Sequence, residues 1–141
     1  MVESSLNAAE LLQKLQQEKD WQRSAIFTDK GEIITANKCT LLPDEIKFYL
    51  SAYDDRDTTV GEGFFINNEH FDVHRFHPPL IYGRRGGPDE GEGIALCRVE
   101  PRSGGESKYW YLLITYLLPI LSAKAVPQMV KFSENNLGLP K

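Results

Sequence analysis

The chain has 141 residues, 41% of them hydrophobic and 26% charged, with a formal net charge of −4. That length fits one domain, residues 1–141, with a real core, and the negative charge argues against general nucleic-acid binding. Two cysteines make no disulfide framework and point to reduced thiols in a cytosolic setting. The polar start "MVESSLNAAELL" does not read as a signal peptide, and the longest apolar run, residues 109–121, is too short and too interrupted by Thr115 and Pro119 to span a bilayer. Charge is uneven: residues 1–70 hold 13 acids and 7 bases, a balance of −6, and residues 71–141 hold 7 acids and 9 bases, a balance of +2. A cationic surface therefore belongs to the second half.

In chain order, residues 4–19 predict a helix, with Ser4 or Ser5 as cap and an apolar stripe of Leu6, Leu12 and Leu15 with Ala8, Ala9 and Leu11. "SAIFTDKGEIITAN" predicts a hairpin turning at Asp29-Lys30-Gly31, with the glycine left-handed. "LLPDEIKFYLSAY" predicts a short helix with Pro43, Asp44 and Glu45 in its first turn, where the macrodipole favours acids. "DDRDTTVGEG" reads as a polar loop. Strands follow at "GFFI", "HFDVHRF", "LIYG", "GIALCRV" and "KYWYLLITYL", and "PRSGGES" turns between the last two. "SAKAVPQMVKFSENNLG" predicts a terminal helix ending at Gly138. This order is α+β: one meandering antiparallel sheet with the terminal helices packed on it. Periodicity leaves the strand order open.

The segment Gly83-Arg84-Arg85-Gly86-Gly87 is the most informative. It lacks the spacing of a phosphate loop and joins two strands rather than a strand and a helix. It reads either as a solvated hairpin or as a recognition loop, in which glycines permit close approach and arginines offer planar forks to carboxylate or phosphate. His70, His74 and His77 lie near Glu69 and Asp72, with His70 and His74 on one strand face. Two histidines make no firm zinc site, and no residue is spaced to orient a Cys–His pair, so polar surface histidines are the simpler reading and neither metal nor cofactor is expected. Alternation places Tyr109 and Tyr111 on one face of the last long strand and Trp110 on the other, as core aromatics.

Taken together, "AIFTDKGEIITAN", "LLPDEIKFYLSAY", "LIYGRRGG" and "LLITYLLPILSAKAVPQMVKFSENNL" resemble, in order, the segments of a profilin, and a divergent, archaeal-type one. The resemblance implies a single antiparallel sheet with the N- and C-terminal helices on one face and a short helix on the other. It also implies a monomeric, non-enzymatic protein of the cytoplasm and cytoskeleton that binds monomeric actin or an actin homologue. Arg84 and Arg85 match the family's basic pair, and Arg98 fits the same cationic face. In the last helix Lys124, Gln128, Lys131 and Asn135 recur as one polar stripe, and Val126, Met129 and Val130 fall opposite, toward the sheet. These seven polar residues are the expected actin contacts, and Arg84, Arg85 and Lys131 the expected contacts to phosphoinositide lipid. Reversal of both arginines, on an exposed turn, is expected to leave the fold intact.

The family's proline-peptide groove matches badly. Residues 4–19 carry no aromatic, which leaves Trp21 and Phe132 as a residual site and makes binding of proline-rich peptides weak or absent. A different interaction class, a roadblock- or longin-like adaptor for a small GTPase, shares the combination of one sheet with helices. A histidine-based enzyme is the third reading.

Overall fold

The computed structural model describes residues 7–87, 91–102 and 105–141. The expected caps Ser4 and Ser5 and two residues of the "PRSGGES" turn lie outside them. Helix α1 spans Ala8–Gln16. Its cap is Asn7, whose side chain accepts from the Glu10 N–H at 2.8 Å while Glu10 returns a bond to the Asn7 N–H, a reciprocal box that satisfies two otherwise orphaned donors. Strands β1 (Arg23–Thr28) and β2 (Ile33–Asn37) form the expected hairpin, with Gly31 at φ +83°. Helix α2 (Pro43–Ser51) starts with proline and two acids. A one-turn 3-10 segment follows, then α3 (Arg56–Glu62), β3 (Phe64–Ile66), β4 (Glu69–His77), β5 (Leu80–Arg85), β6 (Glu92–Pro101), β7 (Trp110–Leu117), α4 (Ser122–Asn136) and β8 (Gly138–Pro140).

Among the described residues the strands form one antiparallel sheet in the order β2-β1-β7-β6-β5-β4-β3, with β8 paired to the end of β6. Side-chain alternation divides the core in two. On one face Leu11 and Leu15 of α1 and Ala125, Met129 and Phe132 of α4 pack on Ile26, Ala95, Cys97, Leu112 and Ile114. On the other, Ile46 and Tyr49 of α2 pack on Phe27, Phe71, Ile81, Ile94, Leu96 and Tyr111. The terminal helices share one face and the short helices take the other, as the α+β reading expects. Tyr109 and Tyr111 lie on the short-helix side and Trp110 on the opposite one.

Three elements differ from expectation. "DDRDTTVGEG" is a helix, α3, capped by Asp55, which accepts from the Thr58 N–H at 3.2 Å, and stopped by Gly63 at φ +77°. Gly138 does not end α4 in a left-handed cap but opens β8, which occupies the flank of β6 that β5 has left. Of the three apolar residues expected under α4, Met129 is buried, Val126 packs at the edge of the core and Val130 is only half-buried.

Candidate functional site

The alternation of "LIYG" does not stop at Gly83. Strand β5 runs through Arg85, with Arg84 opposite Gly93 and Arg85 opposite Glu92 on β6. The two arginines therefore do not ride on a mobile turn, and the expectation that both are exposed on one is corrected: consecutive strand residues point to opposite faces. Gly83 is required for closeness rather than freedom, since a Cβ there would overlap the Asp72 carbonyl on β4. The turn begins only at Gly86, φ +85°.

Arg85 lies on the short-helix face in a network with three partners. The Glu92 carboxylate, 2% exposed, accepts from Arg23 Nε at 3.0 Å and Nη2 at 2.7 Å and from Arg85 Nε at 3.1 Å. Glu69 closes the set, 2.7 Å from Arg23 and 3.5 Å from Arg85. Both guanidiniums lie over the Phe71 ring, at 5.8 and 5.5 Å. Burial alone would raise the Glu92 carboxyl, but the hydrogen bonds and charge of Arg23 and Arg85 outweigh it and hold the group below the usual carboxylate range. Two cations and two anions from four strands thus neutralise one another. Reversing Arg85 would place a third carboxylate in this network, so the expectation that it leaves the fold intact does not carry over to this residue.

Arg84 lies on the terminal-helix face, beside Arg75 and His74 of β4, Tyr82 of β5, Tyr116 of β7 and Ser122 at the start of α4. Arg98 is on the other face, six residues along β6 from Glu92, about 20 Å at strand rise. Its guanidinium is sandwiched between Tyr53 and Tyr109, 4.4 and 4.3 Å from the ring centres, and donates to the Lys141 carbonyl at 3.0 Å. The three arginines expected on one surface occupy three places.

The polar stripe of α4 exists, and its first half is engaged. Gln128 donates to Asp20 at 2.9 Å and Lys124 pairs with the same carboxylate at 3.1 Å. The bonds from Gln128 and then Lys124 hold Asp20 below its ordinary value. Because Asp20 follows α1, this stripe marks the flank of α4 that faces α1. Arg84 and Arg75 lie on β5 and β4, beyond the opposite flank, since α1 packs toward β2 while α4 covers β6 and β7. Lys131 and Asn135 are exposed farther along the helix.

Trp21 and Phe132 do meet, with ring centres 5.3 Å apart at 59°. Both are core residues, 5% and 3% exposed, and present no open aromatic row.

Sequence reasoning missed the ion pairs among Arg23, Glu69, Arg85 and Glu92, because ion pairs across strands have no local spacing. It also missed the second role of Glu45. That carboxylate caps α2 at the Leu42 N–H (3.0 Å) and accepts from the N–H groups of Asn67 and Asn68 (2.8 Å each). Both asparagines have positive φ, so Glu45 fixes the β3–β4 turn. The Asn-Asn pair between two strand-like runs was a legible signal for the turn, but not for its partner. His70 Nε2 lies 2.9 Å from the Glu62 carbonyl, and among the described residues no group of three or more His, Cys, Asp or Glu could hold a metal. Burial pushes the Cys97 thiol up to about 12 and raises Cys39, the opposite of an activated nucleophile.

The sequence profile of the profilin family matches residues 8–100, well over half of the chain. Among solved structures, Acanthamoeba castellanii profilin IA superposes with a TM-score of 0.70 at 17% identity, covering 85% of this chain and 87% of that one. Acanthamoeba castellanii profilin II gives 0.68 at 16% identity with the same coverage. Schizosaccharomyces pombe profilin gives 0.64 at 20%, covering 85% of this chain and 90% of that one. At such identities the superpositions speak for the fold. No curated protein sequence matches the chain at a significant level.

Proposed function

The chain belongs to the profilin family, and from that membership we propose that it is a non-enzymatic regulator that binds monomeric actin, or an actin homologue, and slows spontaneous nucleation. The family match carries this reading and disfavours the roadblock- or longin-like alternative. The charge supports it: the cationic half of the chain supplies β4 to β7 and α4, and complementary charge speeds encounter with an acidic partner. Arg84, Lys131 and Asn135 are the proposed direct contacts. Lys124 and Gln128 would have to leave Asp20 to join them, and Arg85 and Arg98 would act by holding the strands that present Arg84. The proposed setting is the cytoplasm, as a monomer; no helix among the described residues is long and apolar enough to cross a membrane. Polymerisation of labelled actin with a dose series of the folded protein tests the proposal. A lengthening lag is expected, and an unchanged lag at large molar excess would refute it.

Two finer readings follow. Weak, salt-sensitive attachment to phosphoinositide vesicles would rest on Arg84 and Lys131, each worth about 1 kcal/mol near an anionic surface, because Arg85 is neutralised by Glu92 and Glu69. Vesicle sedimentation should fade as salt rises. Proline-rich peptides should bind very weakly or not at all, because a polyproline helix needs open aromatic faces and Trp21 is closed against Phe132. A saturable shift of tryptophan emission with micromolar oligoproline, lost in Trp21→Phe, would restore that site.

A further inference from the structure

On the short-helix face, between the first hairpin and α2, lies an open groove of about 480 Å³. Leu41 and Ile46, 5% and 6% exposed, form its floor. Ile33 of β2 stands on one side, and Pro43 and Leu50 of α2 on the other. Strand β2 ends the path of the sheet, so no further strand among the described residues covers Ile33, which is 44% exposed. A lone exposed isoleucine is ordinary on a protein surface. This one is continuous with the core through the floor, which makes an apolar recess rather than a scattered residue. A side chain at Gly31 would touch Ile46, so the glycine keeps the turn end of the groove open.

The rim is cationic. Lys30 lies at the hairpin end and Lys47 on α2, both exposed, and no acid among the described residues lines the groove. Among those residues Lys30 pairs only with Glu106, at 3.9 Å and with 93% of that side chain exposed, a contact that water and salt screen almost away. Lys47 forms no ion pair among them. Glu32 adjoins Ile33 in the chain and Asp44 adjoins Pro43, but neither is in the wall, and Asp44 lines a separate pocket with Glu62 and Phe65. The two lysines thus run against the balance of −6 in residues 1–70.

We propose that this groove docks an acidic segment of a partner protein, which inserts an aliphatic or aromatic side chain over Leu41 and Ile46 while its flanking carboxylates meet Lys30 and Lys47. Apolar burial supplies most of the affinity, and the lysines set the register and the rate of encounter. The recess is concave, which suits an inserted side chain, whereas an anionic membrane would be repelled by the acids of the N-terminal half. The groove is also separate from the proposed actin contacts. Arg84 on β5 is four strand positions away across the sheet, about 19 Å, and on the opposite face. A partner held in the groove leaves that surface free, so the protein would join actin to a second protein rather than exchange one for the other.

The test follows the fluorescence anisotropy of a labelled, end-blocked peptide, EDLFDE, titrated with the full chain at low salt. Saturable binding at submillimolar concentration is expected, with the amide resonances of Ile33, Lys47 and Leu50 shifting. Ile33→Asp, at an exposed position, should lose about tenfold in affinity. Lys47→Glu should lose several-fold, and less as salt rises. Lys14→Glu makes the same change in charge at an exposed position of α1, on the other face, and should lose far less. The peptide EDSSDE keeps the charge without the apolar centre and should bind about tenfold more weakly. No saturable binding of EDLFDE up to about a millimolar would overturn the proposal, as would unchanged affinity in folded Ile33→Asp and Lys47→Glu. Equal losses in Lys14→Glu and Lys47→Glu, or equal binding of the two peptides, would reduce the effect to general cationic attraction and overturn it as well. Dimerisation abolished by Ile33→Asp would give the groove to a second copy of this chain, and binding to phosphatidylserine vesicles without a response to the peptide would give it to a membrane; either result replaces the proposal.

Discussion

Arg84 and Arg85 are neighbours in the chain and live in different chemistry. Arg85 shares the Glu92 carboxylate with Arg23, half-buried over Phe71, in a set whose charges cancel. Arg84 meets no carboxylate among the described residues and lines an open pocket at the start of α4. One strand thus separates a charge that joins four strands from a charge with no carboxylate partner among the described residues. A basic pair read from sequence is two independent assignments, because strand alternation sends adjacent residues to opposite layers.

The hardest test of the closed side is Glu92→Gln. Its side chain is 2% exposed, and removing its charge leaves two guanidiniums partly buried without it, which should cost about 3–5 kcal/mol in urea denaturation. A loss below about 1 kcal/mol, the level of an exposed pair, would mean that the network contributes nothing special. The same side should show in acid. The Glu92 carboxyl is lowered on folding, so its contribution is present above the unfolded value near 4.5 and is lost as pH falls through the lower folded value. Wild type and Glu92→Gln should therefore converge in stability at strongly acidic pH; a constant gap across the titration would assign the difference to packing instead.

Arg85→Gln should cost less, about 1–2 kcal/mol, since this side chain is 37% exposed and water screens part of the pairing. The smallest effect on stability belongs to the open side. Arg84→Glu should shift it by no more than about 0.5 kcal/mol while lowering actin affinity several-fold at low salt, mainly through the association rate. If Arg84→Glu unfolds the protein and Arg85→Gln does not, the assignment of the two faces is inverted. Stopped-flow association at two salt concentrations separates the rate effect from a change in fold.

Local signals were sufficient for most elements. Pro43-Asp44-Glu45 marked the start of α2, Asp29-Lys30-Gly31 the first hairpin, and the alternation of residues 109–111 the two layers. The helix α3 was also legible, in Asp55 three residues ahead of Thr58 and in Gly63 at the far end, but its polar composition outweighed the capping pattern. The end of β5 was misread for the same kind of reason. Glycine in a sequence suggests freedom, whereas Gly83 is small because the Asp72 carbonyl presses on it.

By itself the sequence determined the α+β class, the order of the longer elements and the main apolar sides of the terminal helices, because each of these follows from periods of two or 3.6 and from residues a few positions apart. Tertiary structure alone decided which charges pair within the fold. Glu92 reaches Arg23 across β7, Asp20 claims Lys124 and Gln128 from the far end of the chain, and Tyr53 and Tyr109 enclose Arg98. All but the Arg98–Tyr109 contact join residues dozens of positions apart, and no local period encodes them. They exist only once strand order and helix placement bring the groups within a few ångströms, where a Coulomb attraction that falls with distance and with solvent screening becomes strong enough to hold them.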